Sequence, residues 1–199
     1  MTNILVETWR HSDWLGKLDL IILLVLSIYS WAIIIEKHLL YKKTEKDNRT
    51  FLKNYYNGRI TNTKYSVWGK ILSKSLKEKQ NINPSPEKIS NLLKRTSREE
   101  FYTFEKGMAF LMLTAAISPF LGLLGTVWGL LLSFHSIGMT GSASMSVVAS
   151  GVGEALISTV AGLVVAIPAA AGHNLFNEKL RILQKEGDDI LESFYLFLK

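Results

Sequence analysis

Residues 107–172 read GMAFLMLTAAISPFLGLLGTVWGLLLSFHSIGMTGSASMSVVASGVGEALISTVAGLVVAIPAAAG, 66 residues with no lysine or arginine and one acid, Glu154. A membrane-spanning helix needs about 20 apolar residues, and a soluble core helix rarely sustains so long a charge-free run. As one helix at about 1.5 Å per residue the stretch would run roughly 100 Å, against a hydrocarbon core of about 30 Å. It therefore holds two spans. The break falls at SIGMTGSASMS (136–146), which is rich in glycine and serine and uncharged. The spans are drawn at 112–135 and 147–170. Working back toward the N-terminus, LDLIILLVLSIYSWAIII (18–35) has Asp19 as its only charge and makes a further span, 18–36. The expected fold is an all-α integral membrane protein with three transmembrane helices.

The whole-chain averages hide this division. The 199 residues carry a formal charge of +6 and are 48% hydrophobic and 20% charged, figures that also suit a soluble domain. Cysteine is absent, which excludes disulfides, thiol nucleophiles and cysteine-ligated zinc. The four histidines (His11, His38, His135, His173) are scattered, so no metal site is expected. A secretory-signal reading of the first span fails for two reasons. Glu7 and Asp13 offset Arg10 and Lys17 ahead of it, and the charged run Glu36-Lys37-His38 follows it in place of a small-residue cleavage site.

Orientation follows from the cations. Segment 36–106 holds 17 of the 23 Lys and Arg, with Lys37, Lys42, Lys43, Lys46 and Arg49 after span one and Lys94, Arg95, Arg98 and Lys106 before span two. The positive-inside rule then places 1–17 as a short periplasmic N-terminus, 37–111 as a cytoplasmic helical segment leading into span two, 136–146 as a periplasmic loop and 171–199 as a cytoplasmic C-terminal helix. The topology is N-out, C-in. Aromatics within the basic segment (Tyr55, Tyr56, Phe101, Tyr102) raise the question of RNA. Eight acids are mixed with its 17 bases and no recognition module is present, so a solvated helical face beside anionic lipid is the better reading.

Both polar regions read as helix. Ser85-Pro86-Glu87 is a start signal, with a hydroxyl cap, proline in the first turn and an acid on the helix dipole. Ile89, Leu92, Leu93 and Thr96 follow at helical spacing. Trp68, Ile71, Leu72, Ser75 and Leu76 suggest an earlier helix, closed by NINPSP. Phe176, Leu180, Leu183, Ile190, Phe194 and Leu198 form one apolar stripe, and no breaker separates 174 from 184, so span three should run on into the tail. No phosphate loop or catalytic triad is present, and no enzyme activity or catalytic residue is expected.

Small residues mark the spans. Gly122, Thr126, Gly129 and Ser133 step by four, three and four along span two, with Gly125 beside them. Ala155, Thr159, Gly162, Ala166 and Ala170 do the same in span three. Such stripes let helix backbones approach closely in lipid. They fit simple packing within the chain, or one face on a neighbour with hydroxyls lining a wet path. Three thin helices offer little interior for two small faces, so an oligomer is expected. Pro119 and Pro168 are placed to bend or bound their spans, and Trp128 reads as a packing residue.

Glu154 lies about 10 Å into span three at 1.5 Å per residue. A carboxylate at membrane depth costs about 2–3 kcal/mol even on lenient insertion scales. It is either functional or an outer-interface acid on the positive end of the helix. Asp19 and His135, near outer span ends, are read as interfacial. One acid does not bridge a core about 30 Å thick, so proton movement would need a further acid from another chain.

SPFLGLLGTVWGLLLSF (118–134) with VVASGVGEALISTVAGLVVAIPAAAGHN (147–174) closely resembles the TolQ/ExbB/MotA family of proton-channel subunits. The paired elements GLLGTVWG and EALIST, at this spacing, are specific to it. Within the family the TolQ branch of the Tol-Pal system is resembled most, through SWAIII (30–35), the Ser-Pro opening and the short N-terminus; the ExbB branch is the alternative. The resemblance implies an oligomeric bundle, a homopentamer, around a central pore lined by spans two and three. The pore would enclose helices of a TolR/ExbD-like single-span partner bearing a membrane aspartate. Thr126 and Thr159 fall on the family's pore threonines and Glu154 on its span-three glutamate. Protons would be the coupling ion, with no other cofactor, and force would pass to a TolA/TonB-like periplasm-spanning protein from the bacterial inner membrane. One departure is Ser150-Gly151 where the family usually has Pro-Gly.

Overall fold

The computed structural model describes residues 13–60, 64–82, 85–140 and 145–198, with the side chains of 80–82, 140, 145–150 and 154 outside the described set. Among the described residues five helices follow in order: α1 (Trp14–Tyr56), α2 (Val67–Ile82), α3 (Pro86–Glu105), α4 (Met108–Thr140) and α5 (Met145–Leu198). No strand occurs among the described residues. Three helical segments, within Trp14–Tyr56, Pro86–Met139 and Gly151–Leu198, are long and apolar enough to cross a membrane.

The chain divides into two compact units, one of residues 1–33 with 110–173 and one of 34–109 with 174–199. In the first, the apolar portions of α1, α4 and α5 pack as three helices. Its outward positions are large and apolar, among them Ile28 on α1, Phe120 and Val127 on α4, and Val160 and Ile167 on α5. Such a surface suits lipid and would be costly in water.

Of the expected loop 136–146, residues 136–140 and 145–146 are helical. Helix α4 continues to Thr140 and α5 starts at Met145, while residues 141–144 lie outside the described set. Glycine and serine weaken a helix in water, but where water is scarce the backbone must bond to itself, and the helix tolerates them. Ser136 Oγ turns back to donate to Leu132 O at 3.0 Å. Pro119 and Pro168 each stand inside a helix that continues past them. As the absence of breakers implied, α5 is one helix of 54 residues.

The second unit has an aromatic core. From the α5 stripe, Phe176, Leu180, Ile190, Phe194 and Leu198 are buried, together with Phe51 and Tyr41 of α1, Trp68, Ile71 and Leu72 of α2, and Ile89, Leu93, Phe101 and Phe104 of α3. Tyr41 stacks on Phe176 with centroids 5.7 Å apart and donates its hydroxyl to Phe176 O at 3.1 Å. Burial raises the Tyr41 phenol above its ordinary value. Lys37 is also buried, donating from Nζ to Thr103 O at 2.7 Å. Desolvation lowers its pKa, opposed by Glu36 and assisted by Lys106.

The two polar helices begin differently. Ser85 stands at the N-cap of α3 with Pro86 following, yet its hydroxyl makes no cap bond. Helix α2 is capped through a distant residue: Ser66 Oγ accepts from Gly69 N at 3.1 Å and donates to Asn48 Oδ1 at 3.0 Å, and Val67 N donates to the same oxygen at 2.9 Å. Gly107 joins α3 to α4 at φ 84°, a left-handed conformation that glycine adopts without a Cβ penalty.

Candidate functional site: the contact of helices α4 and α5

The small-residue stripes of α4 and α5 meet each other. A Cβ at Gly122 would fall 2.7 Å from Ser158 O, one at Gly129 3.1 Å from Ala155 Cβ, and one at Gly162 2.5 Å from Ser118 O. Ser133 lies against Gly151 in the same way. Partner numbers fall on one helix as they rise on the other, so the two run antiparallel. Ala155, Ala166 and Ala169 are buried along α5, and Thr126, Ser133 and Ser158 are buried with them. The stripes are thus used within one chain. Of the two readings drawn from the sequence, this is packing within the chain, each stripe covering the other.

Two predicted site residues come together here. Thr159 Oγ1 donates to Gly122 O at 3.2 Å and lies 3.5 Å from Thr126 Oγ1. Thr126 Oγ1 in turn donates to Leu123 O at 2.7 Å, one turn back along α4. Both hydroxyls sit where glycine lets the backbones close, which is why a small residue precedes each by three or four positions. Glu154 belongs to the same helix, one turn before Ser158; its side chain, like that of Ser150, lies outside the described residues. His135 is exposed, and Trp128 is half-buried with no hydrogen-bond partner for Nε1 among the described residues.

Asp19 is where the structure departs most from expectation. It is packed between helices: it is 4% exposed, and Ser158 Oγ donates to its Oδ2 at 2.6 Å. A Cβ at Gly125 would stand 2.9 Å from that oxygen. Gly125 and Ser158 lie midway along the spans drawn at 112–135 and 147–170, so Asp19 is level with their middles. Its place near the start of an apolar run suggested a rim position, but packing between helices decides depth and the run of sequence does not. An acid inside such a run is a functional candidate by default, and that signal was present. Helix α1 thus delivers an acid to this contact.

Residues 64–188 match the MotA/TolQ/ExbB proton channel family. The chain belongs to this family. The match contains α4 and the α5 contact with Thr126, Glu154 and Thr159. Among similar proteins, the Tol-Pal system protein TolQ of Haemophilus influenzae is 30% identical over 203 residues, covering 92% of this chain and 88% of its own. The biopolymer transport protein ExbB of Salmonella typhimurium is 30% identical over 187 residues, covering 86% and 77%. That of Neisseria gonorrhoeae is 41% identical over 95 residues, covering 48% of this chain and 43% of its own length. MotA/TolQ/ExbB proteins are membrane proton-channel subunits and not a known class of enzyme, and members of the TolQ and ExbB type act in membrane complexes with other proteins.

Proposed function

We propose that the chain is an inner-membrane proton-channel subunit of the Tol-Pal type, coupling proton flow to outer-membrane integrity and to constriction during division. The observation that carries this reading is the Thr159–Thr126–Gly122 contact, built from the two motif halves on helices that include Glu154. Two hydroxyls 3.5 Å apart across a helix contact, each bonded to a backbone carbonyl of α4, can pass or orient a proton with small rotations. Thr126, Glu154 and Thr159 form the proton path, with protons as the only coupling ion. The chain assembles as a homopentamer, N-terminus out and C-terminus in, with residues 37–111 and 171–199 cytoplasmic. The exposed apolar faces of α4 and α5 support such an assembly in lipid.

Within the pentamer's pore sits a TolR/ExbD-like single-span protein bearing a membrane aspartate. Each proton moving down the potential releases about 2.3 kcal/mol per 100 mV, which rotates or rearranges that partner and pulls on a TolA/TonB-like periplasmic protein. Coverage of 92% of this chain by the TolQ relative favours the Tol-Pal role. The ExbB role, energising outer-membrane transport, is the second reading, favoured by the higher identity over the motif region. A passive scaffold is the competing class, favoured by the use of the small faces within one chain. Replacing the chromosomal copy with Thr159→Val separates them: a motor subunit loses envelope integrity and normal division while the variant still assembles, and a scaffold retains both.

A further inference from the structure

Asp19 has two carboxylate oxygens in different situations. Oδ2 accepts the Ser158 hydroxyl at 2.6 Å. Oδ1 is buried and has no hydrogen-bond partner among the described residues. No ion pair to Asp19 occurs among them either. A buried carboxylate with one hydrogen bond and no cation carries a heavy desolvation cost, because burying charge is tolerated only when it is paired and bonded on all sides.

The ionisable groups of the surrounding helices do not supply that pairing. On α1 the neighbours in sequence are Asp13, which is exposed, and Lys17, which is half-buried. Helix α4 carries a single ionisable residue, the exposed His135. Helix α5 carries Glu154 one turn before Ser158, and His173 just over four turns beyond it. A resident metal ion is a poor fit, since one carboxylate and one hydroxyl fall well short of the roughly six oxygens a hard cation takes. The tight approach of Gly125 leaves little space for more ligands.

We propose that Asp19 is a second proton-binding carboxyl of the membrane unit, taking and releasing its proton at Oδ1. The step is simple: an O–H bond forms at Oδ1 when a proton arrives from water and breaks when it leaves, with no change at the Ser158–Oδ2 bond. Gly125 is the residue that makes room for this pair, and Ser158 ties it to the position next to Thr159. Each chain then brings the Asp19 carboxyl to the α4–α5 contact, and Glu154 stands on the same α5 helix, four residues before Ser158. The inference deepens the proton-channel reading and rests on it for its consequence, though proton binding itself can be measured without transport.

The test is infrared difference spectroscopy on the full chain in lipid nanodiscs, with carbon-13 aspartate, titrated across the pH range in which it stays folded. Wild type should show an aspartic-acid C=O band that converts to carboxylate as pH rises, and this band should be missing in Asp19→Asn. Ser158→Ala, which leaves Asp19 in place, should shift the frequency of that band. A pH-dependent aspartate signal unchanged by Asp19→Asn overturns the proposal, as does a band indifferent to Ser158→Ala. If Asp19→Asn does not fold, the Ser158→Ala shift alone decides. Failure of the channel reading shows separately, as normal energised function in Thr159→Val cells.

Discussion

Thr159 Oγ1 reaches across from α5 to Gly122 O on α4 at 3.2 Å, and the same oxygen lies 3.5 Å from Thr126 Oγ1. Thr159→Val keeps the shape and removes the donor. A hydrogen bond between membrane helices contributes about 0.6 kcal/mol on average, so assembly should survive. Thr159→Ser, which keeps the donor, should retain energised function where valine loses it. Growth and division on detergent-containing medium, beside the mass of the purified complex, provide the check.

Glycine at 125 leaves the space occupied by Asp19 and Ser158, whereas Gly138 has nothing within 4 Å of a built Cβ. Gly125→Ala should therefore cost about 1–3 kcal/mol through overpacking. Gly138→Ala should be neutral or slightly stabilising through helix propensity. Thermal unfolding in detergent reads the difference directly.

Asn48 Oδ1 accepts from both Ser66 Oγ and Val67 N, and all three positions are buried. Asn48→Ala removes the acceptor and strands the start of α2, with an expected cost of about 1–3 kcal/mol. Proteolysis near residues 57–66 should accelerate in the variant, because the cap holds the entry to α2.

Lys37 has a folded-state pKa lowered chiefly by desolvation. The unfolded chain therefore binds more protons than the folded one between that lowered value and the ordinary lysine value of about 10.4. Stability should rise with pH through this alkaline window. Lys37→Met keeps the buried stem and removes the titrating group, so its unfolding curve should lose that rise. Denaturant midpoints measured across the alkaline range compare the two.

Much of this architecture was written in charge and period. The run 107–172, with Glu154 as its single charge, and the stretch 18–35 marked three spans, because lipid excludes what water tolerates. The stripe from Phe176 to Leu198 marked α5 as a continuous helix, and all its members but the half-buried Leu183 are buried. Local signals failed where partners are distant. Asn48 and Ser66 are 18 residues apart in sequence, so the cap of α2 was invisible, while the well-formed signal at Ser85 makes no side-chain bond. Asp19 and Ser158 are 139 residues apart, and no periodicity within α1 reveals which face meets α5. Serine and glycine at 136–140 do not by themselves end α4, which runs on to Thr140.

Proton flux across a vesicle membrane decides whether Glu154 and Thr159 carry protons. The chain, purified with whatever single-span partner accompanies it, is reconstituted in vesicles and given an imposed proton gradient. Wild type should pass protons, and Glu154→Gln and Thr159→Val, assembled to the same mass, should reduce that flux to the level of empty vesicles. Equal flux in wild type and both variants would contradict the account.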